Sequence, residues 1–201
     1  MSRGRAAGAA ALFAIIVARG AAAQRPHRSG LWIELGGGPA AVRVACTGCA
    51  EVTVVGGSGG HLRLGGVLSD RVLLGAEAFG FTDESFALSA GDSTVVAETG
   101  TVAAVVLWFP WRSGAFLKGG VGIAEGTFSA TPAPGAPVIT EGIGVGLTFG
   151  LGYDLPLSRT FAITANAAAF IAAIGDIVLP SGVVDDVIAT MYVFAIGLTV
   201  R

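Results

Sequence analysis

Apolar and polar residues alternate with a period of two along most of the chain after residue 30, the spacing that places side chains on opposite faces of a β-strand. Eight such runs predict eight strands, at 31–35, 61–68, 72–81, 95–109, 115–123, 143–154, 160–170 and 187–200. In the sixth run, apolar residues alternate mainly with glycine. The seventh run is rich in alanine, so its intrinsic propensity is also compatible with a helix.

The connections between these runs alternate in length. The long connections are 44–59, 82–94, 126–141 and 171–186, and the short ones are 69–71, 110–114 and 155–159. Transmembrane β-barrels of the outer membrane have an even number of strands, short periplasmic turns and longer extracellular loops. The pattern therefore predicts an all-β fold, an eight-stranded antiparallel up-and-down transmembrane β-barrel with its three short turns in the periplasm.

Composition supports a membrane location. Hydrophobic residues make up 53% of the chain and charged residues only 13%, with a mean hydropathy of +0.74, whereas charged residues are about 25% of ordinary soluble domains. No stretch after the N-terminal region reaches the roughly 20 apolar residues of a membrane-spanning helix. A closed sheet with an apolar outer face fits both observations, because it satisfies every backbone polar group internally.

The first 23 residues have the layout of a secretory signal peptide. Arg3 and Arg5 precede an apolar stretch at 6–17, and small residues lead to Ala21 and Ala23, with cleavage expected before Gln24. We therefore expect residues 1–23 to direct export and residues 24–201 to form the barrel domain in the outer membrane of a Gram-negative-type bacterium.

Four charged residues interrupt the apolar strands midway, on the face opposite the apolar residues, which a barrel turns inward. They are Glu34, Arg63, Glu77 and Lys118, accompanied by His61. The lumen of an eight-stranded barrel is just wide enough for side chains to fill, and buried charges need partners. We expect an ion-paired plug; the alternative is a gate or narrow conducting path.

Aromatic residues gather beside the short turns, namely Trp108, Phe109, Trp111 and Tyr153. Because such rings prefer the level of the lipid headgroups, they predict a periplasmic aromatic girdle rather than a ligand-stacking cluster.

Cys46 and Cys49 form a CxxC motif in the first long connection. A zinc site needs about four ligands, and the chain has only two histidines to complete one. In an exported protein, we expect a disulfide that staples this loop; a reactive dithiol is the alternative. We expect no cofactor and no metal.

The candidate chemistry does not predict an enzyme. His61 is the one residue placed to act as a base, with Glu34 or Glu77 to orient it, but no serine lies beside it on a neighbouring strand. The glycine-rich segment 56–60 reads as a flexible loop, because neither a helix nor a lysine follows it as in a phosphate-binding loop. A net charge of −2 without a basic patch excludes nucleic acid as the expected partner.

The glycine-interrupted strands 117–122 and 144–152 and the final strand 192–200 resemble the small OmpA/OmpX-type outer-membrane barrels. The resemblance implies an eight-stranded barrel that contacts outer-membrane lipid and is inserted by the barrel assembly machinery. In that family an aromatic residue commonly ends the last strand, whereas here Thr199, Val200 and Arg201 stand there.

The leading functional hypothesis is a non-enzymatic barrel with a structural, surface-interaction or narrow-pore role, with an extracellular ligand at its loops. One alternative is a barrel enzyme that modifies membrane lipid. The other is a soluble, exported, lipocalin-like barrel that binds a small hydrophobic ligand. The direction in which the four charged side chains point distinguishes a transmembrane barrel from a lipocalin-like one, because a lipocalin-like protein would turn its charges outward and its leucines inward.

Overall fold

The computed structural model describes residues 30–47, 53–86, 95–111, 113–130, 138–179 and 182–201. These residues form eight β-strands, β1 (Leu31–Thr47), β2 (Thr53–Ser69), β3 (Val72–Phe86), β4 (Val95–Trp108), β5 (Ala115–Ala130), β6 (Val138–Pro156), β7 (Phe161–Leu179) and β8 (Gly182–Val200). Within these ranges, no helix is long and apolar enough to span a bilayer. The predicted signal peptide lies outside the described residues.

The strands close into one barrel in which each strand is antiparallel to its neighbours in sequence order. The ring is completed by pairing of β1 with β8, which begins at Ile33 and Val200 near the turns. Each strand thus has hydrogen-bonding partners on both sides, and the sheet has no free edge. The predicted eight-stranded antiparallel barrel is confirmed, including the seventh strand, whose alanine-rich segment pairs with β6 and β8.

The strands are longer than the sequence pattern predicts. β1 and β2 extend into the first expected loop as far as Thr47 and Thr53, and the other three long connections are shortened in the same way. The prediction that segment 56–60 is a flexible loop is wrong, because this segment pairs with both β1 and β3. The reason is that backbone pairing continues wherever two strands run side by side, even where the side chains no longer alternate in polarity.

The two faces of the barrel wall have inverted polarity compared with a soluble barrel. The charged side chains of the strands' central segments point inward and are buried, whereas large aliphatic side chains on the outer face are exposed. Leu31 is 79% and Ile143 71% exposed, and the same outer band includes Leu35, Leu64, Val121, Val145, Leu147, Leu151, Phe194 and Ile196. This arrangement argues against the lipocalin-like alternative, because the leucines face outward and the charges inward.

Large lumen side chains stand opposite glycines on the neighbouring strand. Trp32 pairs with Gly65, His61 with Gly36, and Phe116 with Gly152. Trp32, His61 and Phe116 are all at most 3% exposed. Because a narrow barrel offers little internal volume, the missing side chain on one strand provides the space that the large side chain on the next one fills.

Gly152→Ala tests this complementarity. A Cβ atom at Gly152 would lie 2.7 Å from Cε1 of Phe116 and 2.8 Å from the carbonyl oxygen of Ala165, so we expect a loss of about 1–3 kcal/mol in the free energy of unfolding. The matched control is Gly80→Ala on the outer face, where a Cβ atom would have no neighbour within 4 Å. Its effect should stay within about 0.5 kcal/mol. Urea titration of the folded barrel measures both; equal effects would contradict the packing argument.

Candidate functional site

The central feature of the lumen is a row of charges on three adjacent strands. Glu34 of β1 is the direct cross-strand partner of Arg63 of β2, and Arg63 is the direct partner of Glu77 of β3. All three side chains point inward because they occupy the same phase of the period-two alternation. The pairing register therefore places a positive side chain between two negative ones.

Arg63 is the centre of this cluster. Its Nη1 donates to Oε1 of Glu34 at 2.9 Å, and its Nε donates to Oε2 of Glu77. Its Nη2 donates to Oδ1 of Asn166, on the opposite wall in β7, at 3.1 Å. The planar guanidinium can serve these partners together because its donors point in fixed, divergent directions.

Lys118 and His61 complete the cluster. Nζ of Lys118 in β5 donates to Oε1 and Oε2 of Glu77 at 2.6 and 2.8 Å, reaching past the intervening β4. Nε2 of His61 lies 2.8 Å from Oε1 of Glu34. The structure thus brings together all five residues that the sequence assigned to the lumen, and it adds Asn166, whose inward position follows from the alternation of β7.

The cluster is buried and electrically balanced. The side chains of Glu34, Arg63, Glu77 and Lys118 are at most 7% exposed, and their two negative charges match the two positive ones. Burying charge is costly unless partners compensate it, and here each carboxylate has two cationic or hydrogen-bonding partners. The arrangement crosses the lumen from β1 to β3, β5 and β7, so it ties distant walls of the barrel together.

A second polar network near the short turns was missed from the sequence. Oγ1 of Thr164 donates to Oδ1 of Asp154 at 2.9 Å and lies 2.7 Å from Oγ1 of Thr199. Nη2 of Arg201 forms an ion pair with Oδ2 of Asp154. The period-two alternation of β6 could have indicated it, because Asp154 falls at the same alternate positions as the inward-facing glycines.

The aromatic residues beside the turns do not all point the same way. Trp108 and Trp111 are 48% and 62% exposed on the outside, and Tyr153 is partly exposed. The assignment of Phe109 to the outer girdle is wrong, because this side chain is 1% exposed and its ring centroid lies 5.3 Å from that of Phe116 in the lumen. Phe109 shares the parity of Leu107, which also faces inward.

The structure adds little on the cysteines or on metal binding. Cys46 belongs to the last part of β1, and Cys49 lies outside the described residues, so the loop disulfide stays a prediction. Over the residues that the structure describes, no group of three or more His, Cys, Asp or Glu side chains is placed to hold a metal ion.

No protein-family model and no curated protein sequence matches the chain, but solved structures do. Neisserial surface protein A matches with a TM-score of 0.55 and 14% identity, over 86% of this chain and 97% of that one. Ail, the attachment invasion locus protein of Yersinia pestis, matches with a TM-score of 0.56 and 16% identity, over 85% of this chain and 99% of that one. The outer membrane protein OprG of Pseudomonas aeruginosa matches with a TM-score of 0.51 and 17% identity, over 89% of this chain and 98% of that one. The chain therefore has the fold of the small eight-stranded outer-membrane β-barrels.

Substitutions in the cluster should rank by the number of carboxylates that lose a partner. Arg63→Met removes a cation from both Glu34 and Glu77, and we expect it to lower the free energy of unfolding by about 3–5 kcal/mol. Lys118→Met leaves Glu77 bonded to Arg63 and should cost less. Urea unfolding of the two variants measures the order. A larger loss for Lys118→Met would contradict the central role of Arg63.

Proposed function

We propose that this protein is an outer-membrane barrel that does not conduct ions and acts as a rigid scaffold for interactions at its loop end, after export by the 1–23 signal peptide. The observation that carries the proposal is the combination of a closed, charge-balanced lumen with an exposed apolar outer band. The band suits a bilayer, and the filled lumen leaves the barrel ends as the surface for partners.

The lumen is filled on both sides of the ion cluster. Toward the loops it holds Phe79, Phe81, Phe170 and Met191, each at most 7% exposed. Toward the turns it holds Trp32, Leu73, Leu107, Phe109 and Phe116, each at most 2% exposed. A hydrated ion needs a continuous polar path, and these apolar side chains interrupt one. This packing favours a scaffold over the narrow pore.

The strand lengths support a role at the loop end. The strands have 14–19 residues, whereas about 9–11 tilted residues cross the hydrocarbon core. The sheet therefore extends beyond the apolar band on the side of the long connections, and rigid scaffolds commonly carry binding functions on such loops. Similar folds include a surface protein and an attachment and invasion protein, and the latter was also solved with a heparin analogue.

The geometry does not favour an enzyme acting on lipid. His61 is 3% exposed and lies inside the barrel, bonded to Glu34. A lipid substrate would contact the outer face, on the other side of the wall. We therefore propose that His61 is part of the plug and has no catalytic role.

Conductance tests the closed lumen. The protein is expressed with its signal peptide and recovered from outer membranes, and its folded state is verified by a heat-dependent shift in a detergent gel. Its intact mass reports cleavage before Gln24. In planar bilayers we expect no channel events above the bare membrane, with a known porin as the positive control. Discrete channel openings from the folded fraction would contradict the scaffold hypothesis and support the narrow pore.

The lipid contact of the outer band is tested by Leu147→Arg. Leu147 lies midway along the outward apolar positions of β6 and is 58% exposed, so an arginine there should cost about 2–4 kcal/mol in a bilayer. Ser58→Arg is the control, because Ser58 is exposed on the outer face beyond the aliphatic band. Unfolding from lipid vesicles measures both variants. A neutral Leu147→Arg would argue for a water-facing wall.

A further inference from the structure

Charge is segregated between the two ends of the barrel. The turn end is the end at which β2 joins β3, β4 joins β5 and β6 joins β7, and the loop end is the opposite one. Among the described residues, the strand segments toward the loop end carry a single base, Arg43, and the acids Asp83, Glu84, Glu98, Glu125, Glu141, Asp176, Asp185 and Asp186. The described turn end carries three arginines, Arg71, Arg159 and Arg201, against Asp70 and Asp154.

Two of the turn-end arginines have their charge available to a partner. Arg201 is engaged by Asp154, whereas Arg71 and Arg159 are exposed and form no ion pair with a described residue. Each lies in a different short turn, so the two guanidinium groups are on separate sectors of the barrel rim.

Each of these arginines follows an exposed aliphatic residue. Leu68, three residues before Arg71, is 72% exposed, and Leu157, two residues before Arg159, is 58% exposed. Trp111 in the remaining short turn is 62% exposed. The rim thus combines apolar side chains that suit the hydrocarbon boundary with guanidinium groups placed just beyond it, and this pairing fits a lipid headgroup region.

We propose that the turn end is a docking surface for anionic phospholipids, whose phosphate groups are bound by the guanidinium groups of Arg71 and Arg159. Guanidinium groups match phosphate oxygens in geometry and charge, and basic side chains at a membrane surface attract anionic lipid. The inference rests on the proposed membrane location. The loop end carries mainly acids, which repel the same headgroups, so the proposed preference is confined to the turn end.

The tryptophans allow a direct measurement. Trp108 and Trp111 are exposed near the turn end, whereas Trp32 is 1% exposed inside the lumen. The protein is reconstituted in vesicles of phosphatidylcholine and phosphatidylglycerol in which one lipid or the other carries brominated acyl chains, which quench nearby tryptophan fluorescence. Trp108 is the cross-strand partner of Val72, which follows Arg71, so the ratio of the two quenching curves gives the relative association constant of the anionic lipid in that sector of the turn end.

Arg71→Gln/Arg159→Gln removes the proposed phosphate ligands, and Arg43→Gln is the matched control at the loop end. For the natural sequence and for Arg43→Gln, we expect phosphatidylglycerol to be favoured by about fivefold for each arginine that a lipid contacts. The double variant should lose most of this preference. Salt at about 1 M should reduce it as well, because charges are then screened within roughly 3 Å.

Two results would overturn the inference. One is equal quenching by the two brominated lipids in the natural sequence, and the other is an unchanged preference in Arg71→Gln/Arg159→Gln. Both are distinguishable from failure of the membrane proposal, because a barrel outside the bilayer would be quenched by neither lipid. The heat-dependent gel shift verifies that each variant is folded before the comparison.

Discussion

The structure depends on one constraint, which is that the backbone of a closed sheet pairs with itself around the whole ring. Pairing of β1 with β8 removes the last free edge, and without water every unpaired N–H or C=O would be costly. Closure sends alternate side chains to two different environments. The outer positions then take aliphatic residues, and the inner positions must share a narrow space. Polarity, packing and charge balance of the barrel all follow from this division.

The ion cluster is a consequence of charge placed in that narrow space. Replacing a buried ion pair by apolar residues is often neutral for stability, so the cluster is not required merely to fill volume. Its distinctive property is that it connects side chains from five different strands, namely Glu34, Arg63, Glu77, Lys118 and Asn166. Contacts of this kind link walls that neighbouring-strand pairing alone does not connect.

The sequence predicts the strands and the lumen charges well, because both are encoded by the same alternation. The sequence-based prediction for Phe109 is wrong because it relies on the position of this residue near a turn. The period-two alternation places Phe109 on the same, inward face as Leu107. The sequence pattern also fails beyond the apolar band, where pairing in segment 56–60 continues without an amphipathic signal. The network of Asp154, Thr164 and Thr199 joins three strands, and only the register shows that these side chains meet.

The opposition of bulky residues and glycines inside the barrel has a consequence for how such a wall diversifies. Where Phe116 faces Gly152, the space is occupied from one side only, so truncation of a single ring exposes bare backbone on the facing strand and the strand itself need not move. The free volume of the lumen can thus change one ring at a time on an unchanged backbone. The outer apolar band is unaffected by such changes, because its side chains occupy the other phase of the alternation.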